Sequence, residues 1–126
     1  ISAETSNQLR KILRSVVQRG TATLGNVEGY EVGGKTGTAN KQKVGARGYD
    51  NDRVVSTFVS FFPVKSPRYV LLVSFDEPSY RGGKEKNERS AGWTAVPVAA
   101  EIIKRIAPLL NLRPSFDTDQ VVQLDR

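Results

Sequence analysis

Two runs of β-branched and aromatic residues, 54–62 and 69–76, are separated only by Pro63-Val64-Lys65-Ser66-Pro67-Arg68. A crossover between parallel strands needs a dozen or more residues, usually a helix, and a short connection with two prolines cannot supply one. The two strands must therefore pair antiparallel, as a hairpin. A polar, Gly-rich extended segment over residues 31–40 precedes them, and helical patterns lie at both ends of the chain. The expected fold class is α+β, an antiparallel sheet with flanking helices.

The first helix is announced by Ser2 as N-cap and Glu4 in the first turn, followed by Leu9, Ile12, Leu13, Val16 and Val17 at helical spacing. Gly20 ends it. Lys11, Arg14 and Arg19 fall in its second half, where positive charge complements the helix dipole. The second helix is expected over residues 93–110, with Val96, Ala99, Ala100, Ile103, Ile106, Ala107 and Leu110 on one face and Pro97 tolerated in the first turn. Residues 21–34, 40–53 and 77–92 read as loops, the latter two long enough to be functional or mobile. Residues 113–126 are polar and unpatterned and are expected to form an extended or mobile tail.

Composition removes several chemistries. There is no Cys and no His, so thiol nucleophiles, disulfide frameworks, His-dependent triads and the commoner zinc sites are excluded. The formal charge of +6, from 19 basic and 13 acidic residues, is spread over several segments and reads as solvated surface. No basic stripe interleaved with aromatics marks a nucleic-acid partner. The chain begins at Ile1 and contains no Met, so it is expected to be part of a longer protein. No apolar run approaches the ~20 residues that cross a bilayer.

Gly33-Gly34-Lys35-Thr36-Gly37-Thr38-Ala39 carries the chemistry, and two readings compete for it. From Gly29 to Thr36 the chain satisfies G-x-x-x-x-G-K-[ST], the phosphate-binding loop, and the run from Val70 to Glu77 imitates the strand whose terminal acid holds magnesium. That loop requires a hydrophobic strand before the glycines and a helix opening at Lys-Thr, because the phosphates rest on the helix N-terminus. Neither flank fits, and the antiparallel hairpin contradicts the parallel sheet such proteins use. The other reading is the K-T-G element of serine acyltransferases that bind β-lactams.

On a strand, Thr36 and Thr38 project to one face and Lys35 and Gly37 to the other. Two hydroxyls in register can donate to a carboxylate. Gly37, without a side chain, lets a peptide approach the strand edge and pair with it. Lys35 brings a positive charge that a low-dielectric cleft magnifies.

A bare K-T-G is a weak signal, but here it has neighbours. Gly20-Thr21-Ala22, Tyr30, Gly34 to Ala39, Phe61-Phe62-Pro63, Pro67-Arg68-Tyr69, Asp76-Glu77-Pro78 and Pro97 follow in an order that resembles the class B penicillin-binding proteins. The similarity is to the C-terminal part of the transpeptidase domain in the division-specific members. It spans residues 2–114, and residues 1–112 are assigned to that domain. The resemblance implies a penicillin-binding/β-lactamase-like fold and a D,D-transpeptidase that cross-links peptidoglycan through an acyl-serine, with no metal or cofactor.

It further implies that Lys35, Thr36, Gly37 and Thr38 bind the substrate carboxylate and shape the edge. Lys35 and Thr38 also serve catalysis, the Thr38 N–H as one of two oxyanion donors, a role typically worth ~10²–10³ in rate. The implied partners are the peptidoglycan stem peptide, β-lactam antibiotics, the remainder of the same domain and other division proteins, with no nucleic acid. The implied location is the inner membrane, with the catalytic domain in the periplasm. A serine β-lactamase, a D,D-carboxypeptidase or a non-catalytic module that kept the fold are the alternatives.

Two family elements are missing. No serine here has Lys three positions on or Asn two positions on, so neither S-x-x-K nor S-x-N is present. This chain alone is expected to be inactive. Ser60-Phe61-Phe62-Pro63 is bulkier than the family's usual small-residue pattern, a difference that concerns packing. The strand over residues 69–75 is apolar on nearly every position, as in a strand buried on both faces, so its outer side is expected to pair with a strand outside this chain.

Overall fold

A computed structural model of the chain describes residues 1–79 and 86–116. In chain order the elements are α1 (Ala3–Arg19), β1 (Gly33–Gln42), β2 (Tyr49–Phe62), β3 (Tyr69–Asp76) and α2 (Ala95–Ile106). Short 3-10 helices occupy Thr23–Gly25 and Lys86–Arg89. The strands form one antiparallel sheet in the order β1-β2-β3, as the two-proline connection requires. Helix α1 starts where Ser2 Oγ accepts the Thr5 N–H at 3.1 Å, and it closes where the Gly20 N–H bonds the Val16 carbonyl at 3.0 Å.

The register sorts the strand residues onto two faces. Gly34, Thr36 and Thr38 of β1 share a face with Phe58 and Phe62 of β2 and with Leu71, Val73 and Phe75 of β3. Phe58 and Phe62 join Val17 of α1 and Val96, Ala99 and Ile103 of α2 in one buried cluster, which is the core. Gly34 is fixed by this packing: a Cβ there would come within 2.5 Å of the Val59 carbonyl oxygen and 2.8 Å of the Phe58 ring. The opposite face carries Lys35, Val59, Val70 and Leu72, and no helix of the described residues covers it.

Two expectations need correction. Residues 40–53 are mostly strand, not loop: β1 continues to Gln42, β2 begins at Tyr49, and these two residues pair across an irregularity between Asn40 and Gln42. Only residues 43–48 turn, with Gly45 and Gly48 at positive φ and the Lys43 N–H bonded to the Gly48 carbonyl at 3.0 Å. Backbone pairing needs no apolar side chains, and where both faces of a hairpin meet solvent the period-two signal disappears. The second helix is shorter than 93–110. The N–H groups of Trp93 and Thr94 both turn back to the Ser90 carbonyl before Ala95, and Pro108 and the left-handed Asn111 follow its end.

Within the loop read at 77–92, residues 80–85 lie outside the described residues. The expected tail is described only to residue 116. Over that stretch the Ser115 N–H bonds the Gly29 carbonyl at 2.8 Å, and Pro114 and Phe116 lie against Gly29. Residues 117–126 lie outside the described part.

Candidate active site

Lys35 and Thr36 lie inside β1, opposite Val59 and Phe58 of β2, and not at a helix N-terminus. The phosphate-loop reading therefore lacks its structural basis. Its supposed metal-binding acids are also committed elsewhere: Lys41 Nζ contacts Asp76 at 2.8 Å and Glu77 at 2.7 Å. What β1 offers instead is an edge. It is the outer strand of the sheet, with Lys35, Gly37, Thr38 and Ala39 exposed.

The two threonine hydroxyls are each held by one partner. Thr38 Oγ1 accepts the Ala91 N–H at 3.0 Å, and Thr36 Oγ1 lies 2.8 Å from Thr21 Oγ1. Because an N–H can only donate, the Thr38 hydroxyl keeps its own proton for another acceptor. The loop that supplies Ala91 is tied down next to it. Thr94 Oγ1 donates to the Ser90 carbonyl at 2.9 Å, which uses its single proton, so Ser56 Oγ must be the donor in the 2.7 Å contact with Thr94. Ser56 is the β2 partner of Thr38, so loop residues 90–94 are clamped to two adjacent strands.

Thr36 and Thr38 open onto a cavity of about 400 Å³ whose wall also includes Thr21, Leu24, Ser90 and Trp93. Leu24 and Trp93 are exposed there, giving a pocket with hydroxyls on one side and apolar groups on the other. That combination suits a ligand that carries a carboxylate beside a small apolar group. On the other face of β1, Lys35 Nζ donates to the Thr36 carbonyl at 2.9 Å and is otherwise exposed. Among the described residues, apart from its chain neighbours, a Cβ on Gly37 would meet nothing nearer than the Thr57 carbonyl at 3.9 Å. Packing within this chain does not demand glycine at that position, unlike Gly34.

Beyond Thr38 the sheet is fastened by charge. Ala39, Val55 and Asp76 form one row across the three strands, and just past it Glu77 meets Lys41 of β1 and Arg53 of β2. Glu77 Oε1 lies 2.7 Å from Arg53 Nη2, and the Glu77 backbone, in the left-handed region at φ 52, sends its N–H to the Val54 carbonyl at 2.8 Å. The Arg53 guanidinium first, and Lys41 second, hold the Glu77 carboxyl down at about 2. The hydrogen bonds that Lys41 donates to Asp76, and then to Glu77, raise its own pKa. Lys41, read from sequence as solvated surface, is thus part of a three-strand clasp.

All four sequence-predicted residues, Lys35 to Thr38, are together on the edge strand. Reasoning from sequence did not assign a site role to Thr21, Ser90, Ala91 or Trp93, which reach Thr36 and Thr38 only through the fold. The motif Gly20-Thr21-Ala22 was the available signal for Thr21.

An edge strand with paired threonines, with helices over one sheet face, is the setting in which the K-T-G element was expected. The family model of the penicillin binding protein transpeptidase domain matches residues 1–104. The chain belongs to that family. It is 38% identical over 120 residues to the probable peptidoglycan D,D-transpeptidase FtsI of Caulobacter vibrioides, covering 90% of this chain and 20% of that protein. It is 40% identical over 114 residues to stage V sporulation protein D of Bacillus subtilis, covering 90% of this chain and 16% of that one.

Among solved structures, the transpeptidase domain of Burkholderia pseudomallei penicillin-binding protein 3 superposes with a TM-score of 0.76 at 37% identity, over 92% of this chain and 33% of that one. Penicillin-binding protein 3 of Mycobacterium tuberculosis, solved with ampicillin, gives 0.77 at 30% identity, over 94% and 26%. The chain thus spans a fifth or less of these two curated relatives and about a third or less of these two solved chains.

Proposed function

We propose that this chain is the substrate-binding portion of a peptidoglycan D,D-transpeptidase and that the stem peptide lies along the open edge of β1. The observation that carries this reading is the placement of Thr36 and Thr38 side by side on an edge strand, facing one cavity, with Lys35 on the reverse face. The hydroxyls of Thr36 and Thr38 take the terminal carboxylate, and Lys35 adds positive charge beside the reacting groups. The serine nucleophile comes from outside this chain, since no serine here has the activating lysine of S-x-x-K. That serine attacks the penultimate carbonyl of a D-Ala-D-Ala stem. The terminal D-Ala leaves with its new amine proton, and an amine of a neighbouring stem then takes the acyl group and releases the serine.

The same site accepts a β-lactam, whose carboxylate and carbonyl imitate the stem, in keeping with the ampicillin and aztreonam complexes of the Mycobacterium tuberculosis relative. In this reading the acting enzyme works at the inner membrane with this domain in the periplasm, beside other division proteins. The test is Lys35→Ala in the complete transpeptidase. Acylation by a fluorescent penicillin should slow by roughly a hundredfold or more with circular dichroism unchanged. A rate within a few-fold of the parent would remove Lys35 from the mechanism. A long-lived acyl-enzyme in the parent is expected; rapid turnover would make the protein a β-lactamase instead.

A further inference from the structure

We infer that Thr21 is a positioning residue for the substrate carboxylate, its hydroxyl donating to Thr36 so that the Thr36 proton is directed into the cavity. The inference rests on the carboxylate-binding reading of Thr36 and extends it to a residue from a different element. Thr21 Oγ1 and Thr36 Oγ1 are 2.8 Å apart and both line the same cavity. A contact between two hydroxyls spends one proton and leaves the other. If Thr36 were the donor, its proton would be occupied by Thr21 and unavailable to a carboxylate. An arriving anion reverses that choice: it accepts the Thr36 proton, and the proton between the two oxygens is then supplied by Thr21, with Thr36 accepting. A chain of two hydroxyls ending on an anion polarises each member, and a charge-assisted hydrogen bond is about twice as strong as a neutral one.

Thr21 is held where this role needs it. It lies just beyond Gly20, whose N–H closes α1 on the Val16 carbonyl, and the Ala22 N–H returns to the same carbonyl at 3.2 Å. From the other side, a Cβ on Gly92 would come within 2.7 Å of the Thr21 carbonyl oxygen, so the loop that also supplies Ala91 to Thr38 sits directly against Thr21. The two hydroxyls that meet the carboxylate are therefore set by one joint between the end of α1 and the loop before α2. Thr38 receives an N–H and Thr36 receives an O–H.

The experiment uses the complete transpeptidase and separates the pre-covalent dissociation constant of a carboxylate-bearing penicillin from its acylation rate constant, in Thr21→Val, Thr21→Ser, Thr36→Val and the Thr21→Val/Thr36→Val pair. Thr21→Val keeps the volume and removes the hydroxyl. It should raise the dissociation constant by about three- to tenfold, the range of one hydrogen bond, with the acylation rate constant within twofold. Thr21→Ser should stay within twofold on both constants. The double variant should bind no worse than Thr36→Val alone, since Thr21 acts only through Thr36. Unchanged binding in Thr21→Val, or a double variant that loses the product of the two single effects, would overturn the inference while leaving Thr36 as a carboxylate ligand. A Thr21→Ser variant as weak as Thr21→Val would assign Thr21 to packing and overturn it too. Unchanged binding in Thr36→Val would instead refute the carboxylate reading itself.

Discussion

The Thr38 hydroxyl accepts the backbone N–H of Ala91 at 3.0 Å, across 53 positions of sequence. Ala91 is fully buried, so its N–H has no recourse to water if that acceptor is removed. Thr38 therefore has a structural duty in addition to its proposed contact with substrate. Thr38→Val in the complete domain should destabilise it by about 1–3 kcal/mol, the cost of an unsatisfied buried donor, whereas Thr38→Ser keeps the acceptor. Urea denaturation measures this directly. A valine variant within 0.5 kcal/mol of the parent would show that the N–H finds another partner.

The charge clasp gives a pH prediction. Glu77 is held at about 2 in the fold against an ordinary value of 4.5, so the folded state keeps its carboxylate ionised where the unfolded chain begins to protonate. A depressed acid contributes stability that is full above the unfolded value and is lost as pH falls toward the folded one. In Glu77→Gln the complete domain should melt lower than the parent at pH 7, and the gap should close between about pH 4.5 and 2. Melting temperatures of both proteins across that range supply the check. A gap independent of pH would mean that Glu77 acts through shape and not charge. The three charges are partly exposed and screened by salt, so the difference should shrink at high ionic strength.

Labelling of this chain by itself is the next test. Every serine in it lacks Lys three positions on, so no serine hydroxyl here has the sequence neighbour that would activate it for attack on a β-lactam. Incubated with a fluorescent penicillin, the 126-residue chain should carry no covalent label on a denaturing gel, while the complete transpeptidase is labelled stoichiometrically. Stoichiometric labelling of the chain alone would move the nucleophile into it.

The sequence disclosed elements whose side chains had to be apolar and hid those whose side chains did not. Strand β3 runs Tyr69–Asp76, the run that β-branched and aromatic residues marked, because it packs on a core and leaves a hydrophobic record. The arms of the β1–β2 hairpin past Asn40 and before Val54 pair without an apolar face, and their polar residues looked like loop. The site divides the same way. Strand alternation is enough to place Thr36 and Thr38 on one face and Lys35 on the other. The contacts of those threonines with Thr21 and Ala91 exist only once α1 and the loop before α2 have converged on β1. Likewise Lys41, Arg53 and Glu77 are unrelated charges along the chain, and they meet because β3 ends at Asp76, in the row of Ala39 and Val55, while β1 and β2 run on beside it.

The outer edge of β3 carries the last prediction. Among the described residues β3 pairs only with β2, leaving half of its backbone groups without a strand partner. On the face away from the helices, Val59, Val70 and Leu72 are 42%, 74% and 60% exposed, a contiguous apolar surface on adjacent strands. An open edge beside an apolar face is an aggregation hazard, which proteins ordinarily cover or pair. We expect the complete domain to pair the free side of β3 with another strand and to cover Val59, Val70 and Leu72 with a further helix. Hydrogen exchange distinguishes the cases, since amides along a strand point alternately to its two neighbours. In the complete domain every amide from Val70 to Phe75 should be protected. In this chain alone only the alternate set facing β2 should be, and the exposed face should bind a hydrophobic dye. Alternate protection in the complete domain would make β3 a true edge and remove the apolar run's reason for being there. Loss of protection along β3 together with protection of both sides of β1 would be more serious, because the substrate would then have no open strand to join.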